Sequence, residues 1–357
     1  MPEPSQLVSS AAGLMQGGGF YNRHSWMQAA GVTAALPALA RAAAAVPIES
    51  PVMVADYGSS QGRNSLRPMQ IAIERLRARA SDLPITVIHI DQAGNDFSSL
   101  FALLDSSPDS YLQMHSETYA MAVGRSFFER VLPPASVTLA WSSFAVMWLT
   151  STPCEALGHV SASLAPPEVL SRLRAQGAAD WRRFLEARAG ELRPGGRLVV
   201  LVAGPAEQRF ASTRPLMQTV ATTLRQLVAD GRLSESASKR AYIPTLPRLG
   251  TELRAPFAEG VFAGLALEGH EDWPDFPDAA WERYRADGDV AALTEAYLGF
   301  FQATFEPSLL HSLEPFSSAS ERQSIVDALE AAIRSAIKND PQPFAQIPLH
   351  MVTMRRI

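Results

Sequence analysis

Three clusters of residue types in this chain could do chemistry. The first is ADYGSSQGRN, residues 55–64. Gly58 and Gly62 let the backbone come close to a ligand, and a helix starting beyond them would offer free N–H groups. A plain strand-to-helix turn has the same composition. The spacing is not G-x-G-x-x-G, so the dinucleotide fingerprint is absent. The same residues fit G-x-S-x-G, with Ser60 as nucleophile of an α/β-hydrolase and His311 or His350 as a downstream base. Against that reading, the elbow would fall on the first strand of the sheet, and no HGGG-type oxyanion segment precedes it. The second cluster centres on Asp91, which closes an apolar run. An acid there can accept hydrogen bonds from both hydroxyls of a ribose, although a lone Asp at that place is also a common turn residue. The third is AWSSFAVMWL (140–149), which crowds Trp141, Phe144, Met147 and Trp148. Such residues fill cores, and they also wall pockets in which an indole N–H is a directed donor.

These residues need elements to hold them. Pro51 to Ala55 reads as a buried strand, and RNSLRPMQIAIERLRARA as a helix with Leu66, Met69, Ile73 and Leu76 on one face. ITVIHID reads as a second strand ending at Asp91. Strand, helix, strand at this spacing is a βαβ unit with parallel pairing. SVTLAWSS (136–143), RLVVLVAG after a Pro194-Gly195-Gly196 turn, VFAGLALE (261–268) and LHMVTMRR (349–356) are further strands, and 181–192 is helical. Helical stretches at 213–230, 278–305 and 318–338 have no neighbouring strands to cover, so they are expected to form a cap. The fold class is α/β, with an open and mostly parallel sheet that binds ligand at the carboxyl ends of its strands.

The chain has 357 residues, 47% hydrophobic, with a net charge of −5, which is enough for a large core and gives no hint of a basic face for nucleic acid. Cys154 is the one cysteine, so no intrachain disulfide can form, as suits a reducing cytoplasm. The segment MPEPSQLVSS has no secretion-signal pattern, and the Ala-rich stretch from Ala29 to Val46 is broken by Pro37 and Arg41. A soluble cytoplasmic protein is expected, with no membrane and no nucleic-acid partner. The seven His form no H-x-H, H-E-x-x-H or Cys-His pattern, so no catalytic metal is expected.

Several ordered blocks carry a family resemblance. They are YNRHSWMQ, ADYGSSQGRNSL, DQAGNDFSSLF, GRSFFERVLPPASVTLAWSSFAVMWL and RAGELRPGGRLVV. In them the chain resembles the SABATH methyltransferases, the family of salicylate, benzoate, jasmonate and related carboxyl methyltransferases. The resemblance is firmest over residues 20–205. It implies a Rossmann-like class I methyltransferase sheet with an α-helical cap. Residues 1–50 would close the site, residues 51–205, 256–272 and 340–357 would form the core, and residues 206–255 and 273–339 the cap.

The resemblance also implies roles. Tyr21, Ser25, Asp56, Gly58, Ser59, Asn64, Asp91, Gln92, Ser126 and Phe127 would hold S-adenosylmethionine. Gln28 and Trp148 would grip the carboxylate of a small organic acid, with Met147 and Phe144 lining the rest of the pocket. His24, between the two sets, is a further lining candidate. A carboxylate ionised at neutral pH is its own nucleophile, so methyl transfer by direct displacement needs positioning rather than a base. N-methylation of a small heterocycle is the alternative within the same resemblance. Ser59 stands where the family usually has Cys, Gln92 replaces a Leu, and Phe144-Ala145 replace Tyr-Ser. ALGHVSAS (156–163) lacks the Asn residues usual there, which puts a structural magnesium in doubt. Family members are often homodimers.

Overall fold

The computed structural model describes residues 13–152, 159–205, 213–273, 277–343 and 347–357. Eight strands form one sheet: β1 Val52–Tyr57, β2 Ile85–Asp91, β3 Thr118–Gly124, β4 Val137–Ser143, β5 Leu192–Ala203, β6 Val261–Phe262, β7 Leu265–Trp273 and β8 Leu349–Arg356. Their order across the sheet is β3-β2-β1-β4-β5-β8-β7-β6. The first five run parallel, and β8 lies antiparallel between β5 and β7.

Strand alternation divides the core between the two faces. Val52, Val54, Val87, Leu139 and Leu201 point to one face and pack with α2 Trp26–Ala45, which follows the short α1 Phe20–His24, and with α3 Arg63–Arg77. Ala55, Tyr57, Ile88, Ile90 and Val200 point to the other, under Trp181 and Phe184 of a long helix, which follows α4 Phe97–Ser106 and α5 Tyr111–Met114 and is α6 Pro167–Glu191. Both faces of the central strands are covered, which explains why they read as unbroken apolar runs.

The remaining helices are α7 Arg214–Ala229, α8 Glu235–Arg240, α9 Gly250–Arg254, α10 Ala279–Asp287, α11 Val290–Thr304, α12 Glu306–Leu313 and α13 Ala319–Asn339. Helix α13 packs on both α7 and α11, and α11 also packs on α1. No helix among the described residues is long and apolar enough to cross a membrane.

Four expectations change. TYAMAVG, not anticipated as a strand, is the sheet-edge strand β3. VFAGLALE is not one strand but a hairpin, turned at Ala263 (φ 52°) and Gly264 (φ 85°). Pro194-Gly195-Gly196 does not turn the chain. It lies inside β5 as an irregularity, where the register with β4 shifts. The 278–305 helix is two helices, parted at Gly288 (φ 71°). Cys154, residues 156–158 of the ALGHVSAS stretch and residues 206–212 of the expected cap lie outside the described residues.

Candidate active site

The loop after β1 is shaped by two glycines. Gly58 has φ 88°, and a Cβ placed on it would lie 2.3 Å from the Ala145 Cβ. Glycine is required there twice over, by conformation and by space. Gly62 (φ 89°) caps α3. The N–H groups of Gly58 and Ser59 donate to the Ile90 carbonyl at 2.8 and 3.2 Å, tying the loop to the end of β2. There the Asp91 carboxylate accepts one backbone N–H on each oxygen, from Ser60 and from Gln92, both at 2.7 Å. Each oxygen keeps a lone pair for a further donor. Burial pushes the Asp91 carboxyl up to about 6, and the nearby Asp56 charge adds to this, while the two N–H groups pull it down.

The segment ahead of α2 is laced to this loop. Asn22 donates to the Gln61 carbonyl at 2.9 Å, and the Gln61 amide donates to the Gln16 carbonyl at 2.6 Å. Asn64 donates to the Ser25 hydroxyl at 3.1 Å. Burial raises the Tyr21 phenol pKa, as does the Asp91 charge, against a hydrogen bond with Asn64 that lowers it.

A cavity opens at this end of the sheet. Of the residues expected at a cofactor, Tyr21, Gly58, Asp91, Gln92 and Phe127 line it. All four expected around an acid other than His24 do so too: Gln28, Phe144, Met147 and Trp148. The wall is mostly apolar, and among the described residues Asp91 is its one charged side chain. The Gln28 amide is buried and lies 3.3 Å from the Thr304 hydroxyl. Its Oε1 has no partner. Turned over, the same amide accepts from Thr304 and presents N–H groups to the cavity. The Trp148 ring packs against Gly13, where a Cβ would sit 3.3 Å from the indole. Phe144 holds φ 55° and its ring rests on Gly31, so its place in the wall is set by backbone as well as packing.

Other expected residues stand behind the wall. Asp56 is buried and pairs with His89 Nδ1 at 3.0 Å, while His89 Nε2 meets the Tyr111 hydroxyl at 2.8 Å. Ser25 and Asn64 hold each other. Ser126 accepts from the Phe128 N–H at 3.3 Å, and the buried Ser59 hydroxyl has no partner. His24 does not reach the cavity. The α1 helix ends there, Ser25 breaks the helical phase, and the imidazole stacks on Phe20 at 4.0 Å and packs against Gly299. Trp141 is core.

The hydrolase arrangement is not assembled. Ser60 Oγ is buried without a partner, His311 pairs with Glu314, and His350 pairs with Asp272. No imidazole is in place to take the serine proton. Thr304, Thr245, Phe300 and Leu349 also line the cavity, and no motif pointed to them. They arrive from α11, β8 and a loop far along the chain.

A second buried network steadies the wall from behind. Glu191 accepts from the Tyr57 hydroxyl at 2.6 Å, Arg188 Nε at 2.8 Å and the N–H groups of Val131 and Leu132 at 2.6 and 3.0 Å. Arg188 in turn donates to the carbonyls of Phe127 and Glu129. Phe127 is thereby fixed where its ring meets the cavity.

The family model for SAM-dependent carboxyl methyltransferases matches residues 11–314. The chain belongs to that family. This methyltransferase is 29% identical over 255 residues to a salicylate carboxymethyltransferase of Clarkia breweri, covering 68% of each chain. It is 27% identical over 245 residues to methyltransferase FUS9 of Gibberella moniliformis, covering 67% of this chain and 66% of that one, just under two thirds of the relative. Its fold matches a solved loganic acid methyltransferase with a TM-score of 0.75 at 21% identity, over 96% of this chain and 99% of that one. The cofactor of this methyltransferase is S-adenosylmethionine, and the site suits it. Each Asp91 oxygen keeps a free lone pair at the cavity wall, and the Ser60 hydroxyl that also lines the cavity is buried without a partner.

Proposed function

We propose that this methyltransferase converts a small apolar or aromatic carboxylic acid to its methyl ester. One observation carries the reading: a largely apolar cavity with no cationic side chain among its described lining residues, in which Gln28 and Trp148 stand as neutral donors beside Met147 and Phe144. When bound, S-adenosylmethionine supplies an activated methyl on a sulfonium. Tyr21, Ser25, Asp56, Gly58, Ser59, Asn64, Asp91, Gln92, Ser126 and Phe127 form its binding region, some by contact and some by holding those that touch. In this reading Asp91 takes the ribose hydroxyls. The Gln28 amide and the Trp148 indole aim one acid oxygen, and Met147 and Phe144 hold the acid's apolar body.

The acid is already an anion, so no side chain removes a proton. The oxygen–carbon bond forms as the carbon–sulfur bond breaks, and the bonding pair stays on sulfur. Neutral donors suit this step because they orient the anion without quenching it as a Lys would. The described helices within 206–255 and 273–339 act as a cap that excludes water, with the described part of residues 1–50 closing the entrance. The single cysteine suits a reducing cytoplasm, and the family resemblance suggests a homodimer.

A panel of benzoate-, salicylate-, indole-acetate- and terpenoid-type acids, with one purine-type heterocycle, tests the reading by mass detection of the methylated product. Methyl esters are expected. Gln28→Ala and Trp148→Ala should each lower transfer about a hundredfold, as misaligned reactants do, with affinity for S-adenosylhomocysteine unchanged. Methylation of the heterocycle alone, or near-full activity in both variants, overturns it.

A further inference from the structure

Two histidines and an aspartate far apart in sequence meet on neighbouring strands. His270 and Asp272 share one face of β7, and Asp272 is the register partner of His350 on β8. Asp272 Oδ1 lies 2.8 Å from His270 Nε2 and 2.5 Å from His350 Nδ1. The three ligating atoms fall within 4.8 Å of one another. Two glycines leave room for the rings. A Cβ on Gly204 would lie 2.6 Å from His350 Nε2, and one on Gly250 would lie 2.9 Å from His270 Cε1. His270 Nε2 is buried and makes no hydrogen bond, although Asp272 Oδ1 lies near it.

We propose that His270, Asp272 and His350 form a binding site for a divalent late transition metal such as Zn²⁺. Two imidazole nitrogens and one carboxylate oxygen are the donor set such ions prefer. Zinc–ligand bonds of about 2.0–2.1 Å in tetrahedral array need donors about 3.3 Å apart. The Asp272 carboxylate must therefore withdraw slightly, and its exposed side chain is free to do so.

The one adverse group is Arg254, whose guanidinium donates to His270 Nδ1 at 2.5 Å. It is the far end of an exposed side chain, and it competes with the ion. None of the three ligands lines the cavity, so the ion is structural. Its neighbours Leu349 and Gly204 do line it, so a bound ion would pin that stretch of wall.

Calorimetric titration of the full chain with Zn²⁺ is expected to show one ion per chain. Loss of a support outside the ligand set commonly costs ten- to a hundredfold in metal affinity, so His270→Ala and His350→Ala should each weaken binding by at least about tenfold. Arg254→Ala removes a like charge and should tighten it about tenfold. Asp272→Asn, at an exposed position, should also weaken binding and keeps the test sound if a histidine variant does not fold. The thermal midpoint of the natural protein should rise with Zn²⁺, and that of the ligand variants should not. Absent binding, or binding unchanged by His270→Ala, His350→Ala and Asp272→Asn, overturns the proposal and leaves an ordinary aspartate–histidine cluster.

Discussion

Acid should release the cofactor through one group, Asp91. Its carboxyl titrates at about 6 in the folded chain, against about 3.9 for a free aspartate. The protonated form thus favours the fold. That contribution is complete below about pH 4 and is lost as the pH rises through about 6. The gap corresponds to about 3 kcal/mol that the empty site carries at neutral pH as the cost of a buried anion. In the proposed site, ribose hydroxyls donating to the free lone pairs would relieve it, so the cofactor should bind the ionised form. Around a pKa of about 6, the ionised share falls from about nine-tenths at pH 7 to about one-tenth at pH 5. Affinity for S-adenosylhomocysteine should therefore drop about tenfold over that interval, read by calorimetric titration. Asp91→Asn should bind weakly at every pH and show no slope. Its amide has one accepting atom, and its NH₂ would face a backbone N–H of Ser60 or Gln92. A flat affinity in the natural protein, or the same slope in Asp91→Asn, refutes the reasoning.

Two further substitutions probe the frame of the site. Gly58→Ala must hold a left-handed backbone and displace Ala145, so it should cost about 2–4 kcal/mol in urea unfolding; a midpoint like the natural protein's would show that the loop relaxes freely. Glu191→Gln leaves the fully buried Arg188 without its anion and should cost about 3–5 kcal/mol, with weaker S-adenosylhomocysteine binding as Phe127 loosens. Unchanged stability there would mean that the network is not what fixes Phe127.

The central sheet was readable because its strands are buried on both faces. ITVIHID and LHMVTMRR coincide with β2 and β8 residue for residue. TYAMAVG was missed because an edge strand with exposed Tyr119 and Met121 lacks that unbroken apolar character. The β6–β7 hairpin was hidden by a turn made of Ala and Gly, residues that also sit in strands. In the site, Tyr21, Asp91, Phe127, Gln28 and Trp148 from separate ordered blocks line one cavity, whereas Ser25, Asp56, Ser59, Asn64 and Ser126 stand behind its wall. His24 lies between the two sets in sequence but does not reach the cavity, because α1 ends there and its ring stacks on Phe20. Thr304, and the meeting of His270 with His350, depend on chain segments that only the tertiary fold brings near, and no local pattern encodes such a meeting.

The place of β8 has a consequence for how the molecule comes into being. It is a late strand that must slide into a gap between two earlier ones, so β6 and β7 cannot join the sheet until it arrives. Ile347 and Leu349, which wall the cavity, come with it. Closing so long a loop is slow. A half-finished chain would hold the glycine turn and Asp91 yet have no room in which to seat a substrate, so catalytic competence should appear in refolding only at the final step.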